Sequence, residues 1–157
     1  MKSKIKTYII GILIPLAVGF FSAYLTRGSM DIYSGIIKPP LAPPAILFPI
    51  VWTILYVLMG IGSVIVYNSD ASARDKRQAL LTYSLQLTVN FFWSLIFFNK
   101  RAFLFSFLWL ILLWVLIVAM ILSFRKISKT AAWLQIPYLI WVTFAGYLNL
   151  MIYLLNR

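Results

Sequence analysis

Histidine and cysteine do not occur in this chain of 157 residues, and aspartate and glutamate together supply only three side chains. Each absence removes a class of chemistry. Without cysteine there are no disulfides and no thiol nucleophiles. Without either residue there is no imidazole base, no zinc site of the usual nitrogen and sulfur type, and no haem bound through its commonest axial ligands. The three carboxylates, Asp31, Asp70 and Asp75, all lie outside the long apolar runs. A paired-carboxylate hydrolase and a proton relay within a membrane are therefore both disfavoured, as is ion-coupled transport, which relies on intramembrane charge.

What the chain has in excess is apolar surface. It is 63% hydrophobic and 17% aromatic, against roughly half apolar for an ordinary soluble domain, which places it in a membrane. The net charge of +11 does not point to nucleic acid, because the basic residues cluster at the ends of apolar runs, where they meet water and lipid headgroups.

Five runs are long enough to cross a bilayer of about 30 Å as helices of about 20 residues. They cover residues 5–25, 45–67, 79–98, 102–124 and 131–155. The first follows Lys2, Lys4 and Lys6 but is too long for a signal peptide and reads as a retained helix. The expected fold class is thus an all-α membrane protein, a five-helix bundle forming one domain over residues 1–157. Five helices cannot form an even inverted repeat of the common transporter type.

Three connections are short: polar residues 68–77, the tight turn 99–101 and the basic segment 125–130. The long one, residues 26–44, holds four of the seven prolines. Proline fixes its own φ and restricts the preceding residue, so residues 38–44 are expected to form a stiff strap. Pro39, Pro40, Leu41, Pro43 and Pro44 are the candidate lid. Lys2, Lys4, Lys6, Arg74, Lys76, Arg77, Arg125, Lys126 and Lys129 flank one side, and Arg27, Lys38, Lys100, Arg101 and Arg157 the other. That split favours the N-terminus inside and the C-terminus outside.

Three stripes of polar and aromatic residues stand out against the lipid-solvated background. The second run carries Phe48, Trp52, Leu55 and Met59 on one face with Tyr56 at its edge. The third carries Gln86, Asn90, Trp93 and Phe97, which fall within about 60° of arc at about 100° per residue. The fifth carries Tyr138, Trp141, Ala145, Leu148 and Asn149. Rigid rings combined with a few hydrogen-bonding groups suit a large, flat, apolar ligand with polar edges. Each residue also has a structural reading: Asn90 as hydrogen-bonding glue between helices, and Trp109, Trp114 and Trp133 as interfacial or lipid-facing rings. The small residues Gly11, Gly19 and Ala23, with Gly60 and Gly62, allow close helix approach, within the chain or between copies. Leu148 or Leu150 with Tyr153 and Arg157 fits a loose pattern proposed for sterol contact.

Three motifs carry a resemblance to a known family. They are Lys38-Pro39-Pro40-Leu41-Ala42-Pro43-Pro44 followed by Phe48-Pro49-Ile50-Val51-Trp52-Thr53; Asn90-Phe91-Phe92-Trp93-Ser94 with Phe97-Phe98; and Pro137-Tyr138-Leu139-Ile140-Trp141 with Phe144-Ala145 and Leu148-Asn149. In this order they resemble bacterial members of the translocator protein family (TspO, or peripheral benzodiazepine receptor). The resemblance implies an integral protein of a bacterial cell membrane, often a homodimer, in contact with membrane lipid and with no role for nucleic acid. It implies a carrier, sensor or regulator that binds protoporphyrin IX, haem or other tetrapyrroles, sterols and benzodiazepine-type drugs beneath the first loop, with no cofactor or metal required. Carried over, the pocket would use Trp52, Asn90, Trp93, Tyr138, Trp141, Phe144, Ala145 and Leu148, to which the stripes add Phe48, Tyr56, Gln86 and Phe97. With no histidine or thiolate, such a pocket should favour metal-free porphyrin, or hold haem through other contacts, tyrosine being a rarer ligand. Some bacterial members are reported to promote light- and oxygen-dependent breakdown of protoporphyrin through two pocket tryptophans, which Trp52 and Trp141 match; in that enzyme-like alternative these two would be catalytic. One position departs from the family: Leu41 stands where tryptophan is usual, which removes an aromatic plate from the lid.

Overall fold

The computed structural model describes residues 2–29 and 31–157. In chain order it forms α1 (Lys2–Thr26), which runs into a single 3-10 turn Arg27–Ser29; the short α2 (Ile32–Gly35); α3 (Leu47–Tyr67); α4 (Ala73–Ser94), continued by a π turn Leu95–Asn99; α5 (Phe103–Arg125); α6 (Lys129–Trp133); and α7 (Ile136–Asn156). Five helical stretches are long and apolar enough to cross a membrane: α1, α3, α4 with its π turn, α5, and α6 with α7. The expected five-helix membrane bundle is the fold.

Its outer surface is hydrocarbon. Ile9, Leu13, Phe20, Phe105, Leu108 and Ile140 are all exposed, and lipid is their natural solvent. Burying such residues against one another gains little in a bilayer, so helix contacts rest on close packing and internal hydrogen bonds. The polar residues Gln86, Asn90, Gln135 and Asn149 are accordingly buried. α1 packs on α3, α4 on α5, and α5 on α7. The α1–α3 contact depends on glycine: a Cβ at Gly60 would lie 2.5 Å from the Cα of Ile12, and one at Gly19 would lie 2.3 Å from the Tyr56 ring. The small residues of α1 thus serve contacts within the chain.

Two boundaries differ from the sequence expectation. Residues 73–77, expected in a loop, are helical, because Ser72 caps α4 by accepting a hydrogen bond from the Asp75 amide at 3.1 Å. Asp75 in that first turn also complements the helix dipole, and Lys76 donates to Tyr67 O at 3.0 Å across the connection. The fifth run is not one helix. Pro137 has no amide proton to donate to the carbonyl four residues earlier, and the chain breaks at Leu134–Gln135. The Gln135 side chain fastens the break to α3 by donating to Leu58 O at 3.2 Å.

Candidate ligand cavity

A cavity of about 580 Å³ opens between α1, α3, α4 and α7 at the end of the bundle that carries the long loop. Its size falls within the range of about 300–1,000 Å³ usual for small-molecule sites. Phe48, Trp52 and Tyr56 form the α3 wall, Trp93, Phe97 and Phe98 the α4 wall, and Ala145, Leu148, Asn149 and Ile152 the α7 wall. Tyr33 and Ala45 line it from the loop, and among the described residues no charged one lines it.

The rings are fixed in pairs. Trp52 stacks on Tyr56 with centroids 5.6 Å apart, and Trp93 on Phe97 at 5.3 Å. The Trp93 indole N–H donates to Asn149 Oδ1 at 3.1 Å, an oxygen that also accepts from Ser106 Oγ at 3.1 Å. Asn149 Nδ2 donates to Phe103 O at 2.8 Å. With its N–H engaged, Trp93 is held as a wall. The π turn after Ser94 places Phe97 and Phe98 side by side, centroids 4.9 Å apart, at the cavity's edge.

Of the twelve ligand-contact candidates, seven line the cavity: Phe48, Trp52, Tyr56, Trp93, Phe97, Ala145 and Leu148. Gln86, Asn90 and Tyr138 do not. They form a buried hydrogen-bonded cluster beneath it. Tyr56 Oη donates to Asn90 Oδ1 at 3.4 Å, Asn90 Nδ2 donates to Tyr138 Oη at 2.8 Å, and Tyr138 Oη donates to Gln86 Oε1 at 2.7 Å. Gln86 Nε2 completes the chain toward Met59 Sδ at 3.9 Å. Buried amides in lipid need such partners; for Asn90 the glue reading describes what its side chain does here. Trp141 and Phe144 also stand off the cavity. Trp141 packs edge-on against Phe48, a wall residue, at 5.8 Å, and lies tilted against Phe144 at 5.7 Å. Its buried indole N–H has no hydrogen-bond partner among the described residues.

The strap is ordered but does not wall the cavity. Pro39, Pro40, Leu41, Pro43 and Pro44 are absent from the lining, where Tyr33 and Ala45 represent the loop. Ala42 N donates to Pro39 O at 3.3 Å, and Leu41 takes φ 70°. Proline at the second position and positive φ at the third describe a type II turn, whose third position ordinarily favours glycine. The turn leaves Leu41 81% exposed. Side chains tie the strap down. Tyr147 Oη donates to Pro40 O at 2.8 Å, Asn156 pairs with both backbone groups of Ile37 at 2.9 Å, and Tyr33 Oη donates to Pro43 O. Partial burial pushes the Tyr33 phenol's pKa up, so it stays protonated and able to donate at neutral pH.

The α1 wall was not foreseen. Gly19, Ser22, Ala23 and Thr26 line the cavity, and their i, i+3, i+4, i+7 spacing of small residues on one face was the available signal. Trp109 donates its N–H to Val89 O at 2.7 Å and braces α5 on α4, while Trp114, bonded to Thr143 Oγ1 at 2.9 Å, and Trp133 lie exposed on the outside. Tyr153 and Arg157 contribute nothing to the cavity wall.

Comparison with known proteins follows the same outline. The family model described as TspO/MBR matches residues 11–155. The chain is 37% identical to the tryptophan-rich protein TspO of Chlorobaculum tepidum over 99% of both chains. It is 33% identical to the translocator protein of Bos taurus, over 87% of this chain and 82% of that one. It is also 33% identical to the tryptophan-rich sensory protein of Cereibacter sphaeroides, over 74% and 72%. An integral membrane bundle with this cavity, strap and sequence belongs to the TspO/MBR family.

Proposed function

We propose that the protein binds a flat, apolar, aromatic ligand of the tetrapyrrole type, such as protoporphyrin IX, within the membrane, and acts as its carrier, sensor or regulator. The observation that carries this reading is the uncharged cavity of about 580 Å³ walled by two fixed ring pairs, Trp52 with Tyr56 and Trp93 with Phe97. Aromatic plates held in place gain stacking energy without losing rotamer freedom on binding. The absence of histidine and cysteine favours a metal-free macrocycle over one held through its iron. Benzodiazepine-type ligands have the same flat, weakly polar character and suit the same walls. Relatives named as a sensory protein and as translocator proteins agree with a binding role.

The test is a titration of protoporphyrin IX, followed by its absorbance, into the purified protein and into Ala145→Phe. Ala145 is buried at the cavity wall, so a ring there fills open space. Binding should fall more than about thirtyfold, the size of effect expected for a change at the centre of a site, with the thermal transition retained. Unchanged affinity would contradict the assignment.

Light- and oxygen-dependent breakdown of the bound porphyrin is the second reading. Trp52 would touch the macrocycle directly. Trp141 would act through its ring contact with Phe48, at 5.8 Å. If bleaching of bound protoporphyrin under illumination is no faster in wild type than in Trp52→Phe, that reading fails.

A further inference from the structure

A second concavity lies apart from this cavity, at the opposite end of α1, α3 and α4. It holds about 880 Å³ and is bounded on α1 by residues from Thr7 to Phe21 and on α4 by residues from Leu80 to Phe91. It opens sideways through exposed Ile14 and Ser84, toward lipid and away from the loop. From Leu80 to Phe91 the helix rises about 16 Å, close to the depth of one leaflet, half of about 30 Å.

Its walls are more apolar than their composition suggests. Each serine and threonine hydroxyl on them donates to its own helix: Thr7 to Ser3 O, Ser63 to Gly60 O, Ser84 to Leu80 O and Thr88 to Ser84 O, all at 2.8–2.9 Å. Tyr83 stands behind them, 7% exposed and packed against the Phe124 ring. The groove therefore offers largely hydrocarbon walls.

The mouth is basic. Lys4 continues the Thr7, Gly11, Ile14 face of α1 one turn toward water, and Arg77 continues the Leu80, Ser84 face of α4 in the same way. Lys76 stands beside them, bonded to Tyr67 O, and Tyr67 itself lines the groove. Asp75, on the same turn, belongs to the capped start of α4 and lies off that face.

We infer that this groove is a binding site for one anionic phospholipid of the adjoining leaflet, its acyl chain lying along α1 and α4 and its phosphate between Lys4 and Arg77. A neutral sterol would satisfy the walls but leave the cations without a partner. An anionic headgroup matches them, at about fivefold in affinity for each basic residue near the surface.

The test uses the full chain in nanodiscs of phosphatidylcholine with a minor fraction of phosphatidylglycerol, extracted gently and weighed by native mass spectrometry. Wild type should retain one phosphatidylglycerol in preference to phosphatidylcholine. Lys4→Gln with Arg77→Gln should lower that preference about thirtyfold, and Ser84→Trp should lose both lipids. Equal retention of the two lipids by wild type would overturn the inference. So would a preference that survives in the charge variant, or a dimer that carries no lipid. The charge variant alters only exposed positions, so it carries the test even if Ser84→Trp does not fold. No porphyrin enters the readout, so failure here leaves the tetrapyrrole reading untouched.

Discussion

The aromatic cavity and the amide cluster beneath it are built from the same helices and the same sequence stripes, yet they do opposite things. On α4, Trp93 and Phe97 face open space, while Asn90 and Gln86, one and two turns deeper, are sealed in mutual hydrogen bonds with Tyr138. On α3, Tyr56 belongs to both, with its ring on the cavity and its hydroxyl on Asn90. A polar-aromatic face in a membrane helix thus divides by depth: rings shape the site near the loop, and amides hold the bundle together where water cannot reach.

Substitutions should separate the two regions. The largest effect is expected from Asn90→Leu, which removes the acceptor of Tyr56 and a donor to Tyr138 and should cost about 2–3 kcal/mol of stability. Thermal unfolding in detergent would register it, while protoporphyrin affinity shifts less than about threefold, since the residue lies outside the wall. Trp52→Ala should do the reverse, weakening binding by about 2 kcal/mol, or roughly thirtyfold, with a smaller change in melting. Tyr147→Phe unties the strap from α7 at Pro40; losing that hydrogen bond, worth about 1 kcal/mol, should speed ligand release about fivefold in stopped flow. The smallest effect is expected from Trp141→Phe. Its indole N–H has no partner to lose and the residue is absent from the cavity wall, so affinity should change less than about twofold.

Much of this was legible in the sequence. The five spans follow from apolar length, and Ser72 with Asp75 could have moved the start of α4 to Ala73, since the first turn lies in water where hydropathy is silent. The break before α7 could likewise be read from Pro137. The seven candidates that line the cavity share faces that helical spacing exposes directly. Spacing says nothing about depth, however. Gln86 and Trp93 lie on one stripe about 10 Å apart along the axis, and only tertiary packing decides that one meets a tyrosine and the other a void. The α1 wall escaped because small side chains leave no polar signal, although Gly19, Ser22, Ala23 and Thr26 recur on one face. The strap's stiffness was readable from its prolines, but its outward turn at Leu41 depends on the anchors Tyr147 and Asn156, more than a hundred residues away.

The division between rings and amides is tested most directly by an electron-density map of the complex with protoporphyrin IX. The macrocycle is expected between Trp52 and Trp93, with ring atoms within about 4 Å of both, and with the Tyr56–Asn90–Tyr138–Gln86 hydrogen bonds unchanged. A macrocycle bound elsewhere, or an Asn90 turned out of its cluster to meet the ligand, would contradict the account.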